Sequence, residues 1–303
     1  MKINLEKLDT EQQNTDSLHI DEMDSYGVLK TINDADKTVA EAVEKQLGQI
    51  SQVVDVVVEK LKKGGHLFYI GAGTSGRLAF IDSAECPPTY GVDYETVQSI
   101  MCGGFTALYK AKEGAEDDRQ QAVVDVREHN VTADDVLMGI AASGRTPYVR
   151  SALEYARSIG CTTVAFACCH DSEIGQIADY KIEVITGPEV IMGSTRMKAG
   201  TAQKLVLNMI STAAFVRMGK TYNNLMVDVR PTNQKLVERS YRILAKAIDC
   251  DRDTAVELYQ KAEGNVKAAI VCYKTGCDMP TALEALNKAE GHLKTALHNL
   301  QKE

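Results

Sequence analysis

The feature that most constrains the fold is a repeated unit: a short apolar run, a glycine- and hydroxyl-rich turn, then a helical pattern. HLFYIGAG at 66–73 leads into the helical pattern SGRLAFIDSA, which should end at the breaker Pro87-Pro88. VLMGIAASG at 136–144 leads into PYVRSALEYARSIG in the same way, and TTVAFACC and DYKIEVIT add two strand candidates. Strands that alternate with helices predict an α/β fold with a parallel sheet.

The regions on either side of this pattern have a different character. Residues 1–37 are polar and predict an irregular N-terminal arm. From 38 to about 63, apolar residues recur at three- and four-residue steps, which predicts one amphipathic helix ended by Gly64-Gly65. We place the α/β domain at 38–230, with its last long helix ending at Gly219. Short helical patterns beyond it predict a small all-helical C-terminal subdomain at 231–303.

Composition limits the classes of partner. The formal net charge of -8 argues against a nucleic-acid partner but is compatible with a small anionic ligand. No apolar run approaches the roughly 18 residues of a membrane span. The polar, acidic start lacks the pattern of a signal peptide, so we expect a cytoplasmic protein without a membrane partner. The eight cysteines form no Cys-x-x-Cys pair, which predicts reduced, mostly buried thiols.

The first turn, residues 71–76, has the spacing G-x-G-x-x-G between a strand and a helix, so a dinucleotide site is one interpretation. Asp93 and Glu95 lie about twenty residues on, but they precede the apolar TVQSI, whereas a ribose-binding acid belongs at the end of the second strand. A plain tight turn followed by a helix cap is the other alternative.

Two further turns of this kind, 142–146 and 193–198, favour a different ligand. In an open parallel sheet, ligands bind beyond the carboxyl ends of the strands, where helix N-termini attract anions. Three such turns together favour a phosphate monoester. The candidate hydroxyl donors are Ser75, Ser143 and Thr146. The candidate cations are Arg77, Arg145, Arg196 and Lys198, and the other turn residues of the predicted site are Gly73, Thr74, Gly144, Ser194 and Thr195.

These turns resemble those of the N-acetylmuramic acid 6-phosphate etherase family. GTSGR and ASGRT resemble the phosphosugar loops of sugar isomerase (SIS) domains. The etherase branch is similar in YIGAGTSGRLAFIDSAECPPTYGV, EGAED, GIAASGRTPYV and GSTRMKAGTAQKLVLNMIS, and the likeness covers nearly the whole chain. Ala141 departs from the wider SIS pattern, which often has serine there, so backbone or Arg145 would replace one phosphate donor. The resemblance implies a three-layer αβα SIS domain.

The resemblance also implies a carbon–oxygen lyase that cleaves the D-lactyl ether of N-acetylmuramic acid 6-phosphate with water. The products would be N-acetylglucosamine 6-phosphate and D-lactate, formed in amino-sugar catabolism and cell-wall recycling. The catalytic acids of the family fall on Glu85, in SAECPPT, and Glu116, in EGAED. Elimination of lactate followed by hydration needs one base at C2 and one acid at the leaving oxygen. We assign Glu85 as the acid and Glu116 as the base, and the exchanged assignment stays open.

The remaining expectations concern further contacts, cofactors and assembly. Glu189, just before the third turn, is an additional candidate contact to the sugar. No metal or other cofactor is expected, because the sugar aldehyde is the electron sink and the six histidines lack metal-site spacing. SIS units usually pair, which implies a homodimer. The C-terminal helices resemble a ubiquitin-associated-like three-helix module, which we interpret as a structural lid or dimer element.

Two other functions compete with the etherase. An aldose–ketose phosphosugar isomerase would also move the C2 proton with a carboxylate, but it would release no lactate. A non-catalytic regulator is possible because the glucokinase regulatory protein belongs to the same wider family, and SIS domains also sense phosphosugars in transcription factors. We expect neither, since the chain shows one SIS pattern and no basic helix-turn-helix segment, and it retains Glu85 and Glu116.

Overall fold

The computed structural model describes residues 9–231 and 233–302, and the chain forms two compact units. Unit 1 comprises Met1–Ala84 and Glu95–Ser211, and unit 2 comprises Glu85–Tyr94 and Thr212–Glu303. These divisions follow contacts in space, whereas the domain boundaries drawn above follow the sequence pattern. The boundaries at 37/38 and 230/231 therefore stay a prediction.

Two helices occupy the region in which one was predicted. Helix α1 spans Ser25–Glu44 and helix α2 spans Leu47–Lys62, so the single helix expected from 38 to 63 is wrong. The side chain of Asp24 accepts a hydrogen bond from Gly27 N and thereby begins α1 inside the predicted arm. The apolar pattern runs across the break, because Val43 and Ile50 are both buried, and periodicity alone does not reveal the interruption.

A parallel five-stranded sheet forms the centre of unit 1, and its strands are ordered β2-β1-β3-β4-β5. The strands are β1 Leu67–Gly71, β2 Val97–Met101, β3 Val136–Ile140, β4 Thr162–Ala167 and β5 Tyr180–Glu183. Strands β1 and β3 are neighbours in register, with Gly71 opposite Ile140. The predicted α/β class with a parallel sheet is confirmed.

Helices cover both faces of this sheet. They are α3 Gly73–Tyr90, α4 Arg119–Glu128, α5 Pro147–Ser158 and α6 Lys198–Arg217. Phe68 and Leu137 point to the face on which α4 and α5 pack, and Tyr69 points to the face that carries α3 and α6. Gly139 lets α5 approach, since a Cβ there would lie 2.7 Å from both Val149 Cγ1 and Leu153 Cδ1.

Unit 2 is largely helical. A two-residue hairpin pairs β6, Thr221–Tyr222, with β7, Leu225–Met226. Five helices follow: α7 Gln234–Ile248, α8 Arg252–Lys261, α9 Val266–Thr275, α10 Met279–Lys288 and α11 Leu293–Leu300. Asn or Asp side chains accept hydrogen bonds from backbone amides at the starts of α7 to α10. The predicted helical C-terminal region is confirmed.

A buried carboxylate links three elements of unit 1. Asp82 of α3 accepts hydrogen bonds from the Tyr69 hydroxyl of β1 at 3.1 Å and from Asn208 Nδ2 and Ser211 Oγ of α6 at 2.6 and 3.0 Å. Burial raises the pKa of Asp82, and the three donors act in the opposite direction. The carboxylate therefore fixes α3 against the sheet and against α6.

We expect Asp82→Ala to lower the free energy of unfolding by roughly 3 kcal/mol, because each buried donor left unpaired costs about 1–3 kcal/mol. Urea unfolding followed by circular dichroism measures the loss. Asp93→Ala is the control, because the Asp93 side chain is 73% exposed and pairs with Arg230 at the surface. Its loss should lower the free energy of unfolding by under about 1 kcal/mol. Equal losses in the two variants would contradict the linking role of Asp82.

Candidate functional site

The strand order places a topological switch point between β1 and β3. The chain passes from β1 to one side of the sheet and from β3 to the other, so a crevice opens at their carboxyl ends. Because Gly71 and Ile140 pair at the ends of these strands, the first turn and the second turn start side by side. Ligands of open parallel sheets bind at such a crevice.

The first turn brings α3 very close to the end of β1. A Cβ on Gly71 would lie 2.8 Å from Gly76 N, and a Cβ on Gly76 would lie 2.4 Å from Gly71 O. Gly73, which begins α3, has a φ of +55°, where glycine is favoured. The glycine spacing thus has a packing cause. Ser75 is buried and Thr74 is half-buried beside it.

The second turn also requires its glycine. Gly144 has a φ of +68°, and a Cβ there would lie 2.4 Å from Ser172 Cβ. Thr146 precedes α5 without a capping hydrogen bond from its side chain, and Pro147, at the start of α5, has no N–H to offer. Arg145 Nε is buried and has no hydrogen-bond partner in the described part of the chain, although the guanidinium lies 3.5 Å from Glu173.

The third turn carries a buried carboxylate of its own. Glu189 is fully buried and accepts hydrogen bonds at 2.9 Å from Lys198 N and Ala199 N, the first amides of α6. Burial raises the pKa of Glu189, and the two amides act in the opposite direction. Lys198 Nζ donates to Thr186 O at 2.6 Å, and burial lowers the pKa of this lysine. Both side chains predicted to contact substrate are therefore engaged in holding the start of α6.

The first and third turns meet through their helices. A Cβ on Gly200, in the first turn of α6, would lie 3.6 Å from Thr74 Cγ2 and 3.8 Å from Leu78 Cδ1 of α3. Ser194 and Thr195 are half-buried. Unit 1 thus brings the three predicted turns together: sheet pairing joins the first two, and helix packing joins the first and third.

A cavity of about 270 Å³ connects the first turn to Glu116. Gly73, Arg77 and Glu116 line it together, and the Glu116 side chain is exposed. Arg77 Nε donates to Leu108 O and its Nη2 donates to Ala107 O, both at 2.8 Å. The predicted anion-binding Arg77 therefore holds one wall of the cavity through two backbone carbonyls.

Glu85 belongs to unit 2 and is exposed on α3. The helix does not end at Pro87-Pro88, as predicted, but continues to Tyr90. A proline removes a hydrogen-bond donor, and here the loss is tolerated over the last turn. Gly91 then ends the helix with a φ of +65°, and its N–H donates to Pro87 O.

Sequence reasoning missed several buried polar groups of unit 1, among them Asp82, Thr186 and Gln203. Gln203 lies on α6, and its Nε2 has no hydrogen-bond partner among residues 9–231 and 233–302. The available signal was an amide in the otherwise apolar stretch AGTAQKLVL. A buried amide N–H of this kind either loses its hydrogen bonds to water without replacement or donates to a bound ligand.

Among residues 9–231 and 233–302, no group of three or more His, Cys, Asp or Glu side chains is placed to hold a metal ion. None of the helices described there has the length and hydropathy to cross a bilayer. All eight cysteines are free thiols, and five of them are buried, which confirms the sequence prediction. Burial raises the pKa of Cys161 to about 12.

The sheet order and the paired turns at the switch point are those of a doubly wound α/β domain, and family matches assign it to the SIS class. Residues 122–213 match the family described as SIS domain, and residues 49–157 match the glucokinase regulatory protein N-terminal SIS domain. A solved protein of E. coli CFT073 is 18% identical to this chain, with a TM-score of 0.50. The match covers 67% of this chain and 97% of that chain, and it shows the fold alone.

Sequence identity to two bacterial enzymes shows the family. The chain is 52% identical over 272 residues to the N-acetylmuramic acid 6-phosphate etherase of Clostridioides difficile (strain 630), with 90% of each chain covered. It is 53% identical over 267 residues to that of Geobacillus sp. (strain WCH70), covering 88% of this chain and 90% of the relative. The chain belongs to the N-acetylmuramic acid 6-phosphate etherase family, which confirms the resemblance.

We expect Gly144→Ala to lower the free energy of unfolding by more than about 2 kcal/mol. The left-handed backbone costs an alanine roughly 1–2 kcal/mol, and the overlap with Ser172 adds to that cost. Gly48→Ala in α2 is the matched control, because a Cβ there meets nothing within 4 Å. Helix propensity predicts a gain of up to about 1 kcal/mol for this control. A Gly144→Ala protein as stable as Gly48→Ala in urea unfolding would refute the packing account of the second turn.

Proposed function

We propose that this chain cleaves the D-lactyl ether of N-acetylmuramic acid 6-phosphate with water, giving N-acetylglucosamine 6-phosphate and D-lactate. The observation that carries the proposal is 52% identity to an etherase over 90% of the chain. The enzyme is a carbon–oxygen lyase of N-acetylmuramate degradation and cell-wall recycling. Its binding site is the crevice beyond β1 and β3.

The substrate phosphate binds at the first turn, with help from the second. Every helix N-terminus carries amides without intrahelical acceptors and a partial positive charge. The α5 terminus begins with Pro147, which has no N–H, and the α6 terminus already binds Glu189. The α3 terminus is thus best suited to phosphate. We assign the hydroxyl and cationic contacts of the phosphate to residues of the first and second turns: Ser75, Ser143, Thr146 and Arg145.

The third turn binds the other anionic group of the substrate, the lactyl carboxylate. Arg77 and Lys198 already donate to backbone carbonyls, whereas the Arg196 side chain is exposed. We therefore assign the lactyl carboxylate to Arg196, with the hydroxyls of Ser194 and Thr195 contacting the sugar. Glu189 helps to position this turn, because its carboxylate binds the first amides of α6.

The reaction is an elimination followed by a hydration. In the open-chain sugar, the C1 aldehyde acidifies the C2 proton, which Glu116 removes as general base. Glu85 protonates the departing lactyl oxygen, and its carboxylate then activates the water that adds at C3. The cavity shared by Glu116 and Gly73 supports the first role. Family motif position supports the second, and the two roles exchanged give the same overall reaction.

Three further features belong to this proposal. The enzyme works without a metal or another cofactor, because the aldehyde accepts the electron pair released at C2. It acts in the cytoplasm on a small phosphosugar, not on nucleic acid or at a membrane. It forms a homodimer, as paired SIS units commonly do.

The direct test is incubation of the purified protein with N-acetylmuramic acid 6-phosphate in ¹⁸O-labelled water, without added metal or nicotinamide. We expect D-lactate and N-acetylglucosamine 6-phosphate in equal amounts, with the label at C3. A ketose phosphate without lactate would establish the isomerase instead. Binding of the phosphosugar without any turnover would establish the regulator.

We expect Glu116→Gln and Glu85→Gln each to lower kcat at least about 100-fold, the usual contribution of general acid–base catalysis. Both side chains are exposed, so the melting temperatures should stay unchanged. Glu113→Gln is the matched control, because Glu113 lines the same cavity as Glu116, and its kcat should stay near the wild-type value.

Deuterium exchange at C2 separates the two roles. If Glu116 is the base, Glu116→Gln abolishes uptake of solvent deuterium at C2, whereas Glu85→Gln retains it. The reverse pattern would exchange the assignments. Near-normal turnover in both folded variants would end the two-carboxylate account.

A further inference from the structure

Residues 9–17, here called the 9–17 segment, contact the loop that carries the third turn. Ser17, which is 6% exposed, donates from Oγ to Val190 O at 2.7 Å. Asn14 Nδ2 donates to Pro188 O at 3.4 Å. Both contacts join residues more than 170 positions apart in the sequence. They are long-range tertiary bonds and not part of a local turn.

The two carbonyls held by the segment flank one residue, Glu189. The carboxylate of Glu189 binds the first two amides of α6. The 9–17 segment therefore fixes the backbone before and after Glu189, and Glu189 in turn fixes the start of α6. The residues between this glutamate and α6 include the third turn, with Ser194, Thr195 and Arg196.

The other end of the segment is anchored close to the second turn. Asp9 Oδ2 accepts hydrogen bonds from His170 N and His170 Nδ1, both at 2.9 Å. His170 follows Cys169, whose Sγ donates to Ser143 O at 3.2 Å. The segment thus runs between the neighbourhood of the second turn and the loop of the third.

The middle of the segment faces the third turn itself. Thr10 is completely buried, and a Cβ on Gly193 would lie 3.1 Å from Glu11 Oε2. Gly193 has a φ of +74°, a conformation that glycine adopts readily. The 9–17 segment therefore lies against the backbone of the third turn at a glycine.

We propose that the 9–17 segment is a positioning element of the substrate site, which sets the third turn for binding through Ser17, Asn14 and Asp9. The inference rests on the proposed function. Because the third turn binds the substrate and takes no part in proton transfer, weakening the segment should raise KM and leave kcat nearly unchanged.

The first test is Ser17→Ala, which removes the donor to Val190 O. We expect KM for N-acetylmuramic acid 6-phosphate to rise about tenfold, with kcat within about twofold of wild type. Ser240→Ala is the matched control, since Ser240 is also buried and also donates to a backbone carbonyl, Leu236 O at 3.1 Å in unit 2. It should lower the melting temperature without changing KM.

A second pair of variants tests the other anchor. Asp9→Ala removes the acceptor for His170 and should raise KM several-fold, whereas Asp9→Asn keeps an acceptor oxygen and should restore the wild-type KM. If Ser17→Ala and Asp9→Ala lower the melting temperature but leave KM unchanged, the segment is merely structural and the inference is overturned.

A thermal-shift measurement with the same phosphosugar separates this inference from the proposed function. A wild-type protein that releases no lactate but is stabilised by the phosphosugar, while Ser17→Ala is not, overturns the etherase reaction and supports the positioning role. A wild-type protein that neither turns over nor is stabilised overturns both.

Discussion

The close approach of α3 to the end of β1 is the contact on which the candidate site depends. Neither Gly71 nor Gly76 can carry a Cβ, since each would overlap the backbone of the other. This approach places the start of a helix, with its unpaired amides, directly at the switch point of the sheet. The glycine spacing shared with dinucleotide-binding turns follows from that requirement. Because its cause is packing, the spacing alone does not identify a particular cofactor.

The charges of the site show how an acidic chain can bind a doubly anionic substrate. Glu189 lies on the α6 terminus, so the helix dipole there stabilises the protein's own buried carboxylate. Lys198, buried nearby, donates to Thr186 O instead of to solvent. These bonds hold the start of α6. In the proposed function, the substrate phosphate binds at the α3 terminus instead. The two termini look equivalent in the sequence, but only the structure shows that one of them already holds an anion.

Features that depend on neighbouring residues in the sequence could be predicted, whereas contacts between distant residues could not. Buried parallel strands are continuous apolar runs, so β1, β3, β4 and β5, the turns and the α/β class were recognisable, whereas β2 was not predicted as a strand. The break between α1 and α2 was not recognisable, because the apolar pattern continues through it. The partners of Arg77 and Glu189 were not predictable either, since each bonds to groups 9 to 31 residues away and charge alone does not name a partner. The grouping of the three turns was predictable from the rule for strand ends, whereas their contacts with residues 9–17 had no sequence signal.

In the proposed chemistry, the helix start that binds phosphate and the carboxylate that removes the proton line one cavity. The phosphate at C6 does not react, so its binding energy is available to orient C2 and C3 for elimination. Gly73 and Arg77 lie on α3 and line the cavity that contains Glu116, and Arg77 holds the opposing wall through Ala107 and Leu108. A phosphate bound at the α3 terminus is therefore held by the same rigid element that shapes the surroundings of the base. In this proposal the phosphate and Glu116 meet in one cavity, which lets the anchored phosphate bring the C2 proton of a flexible open-chain sugar to the carboxylate.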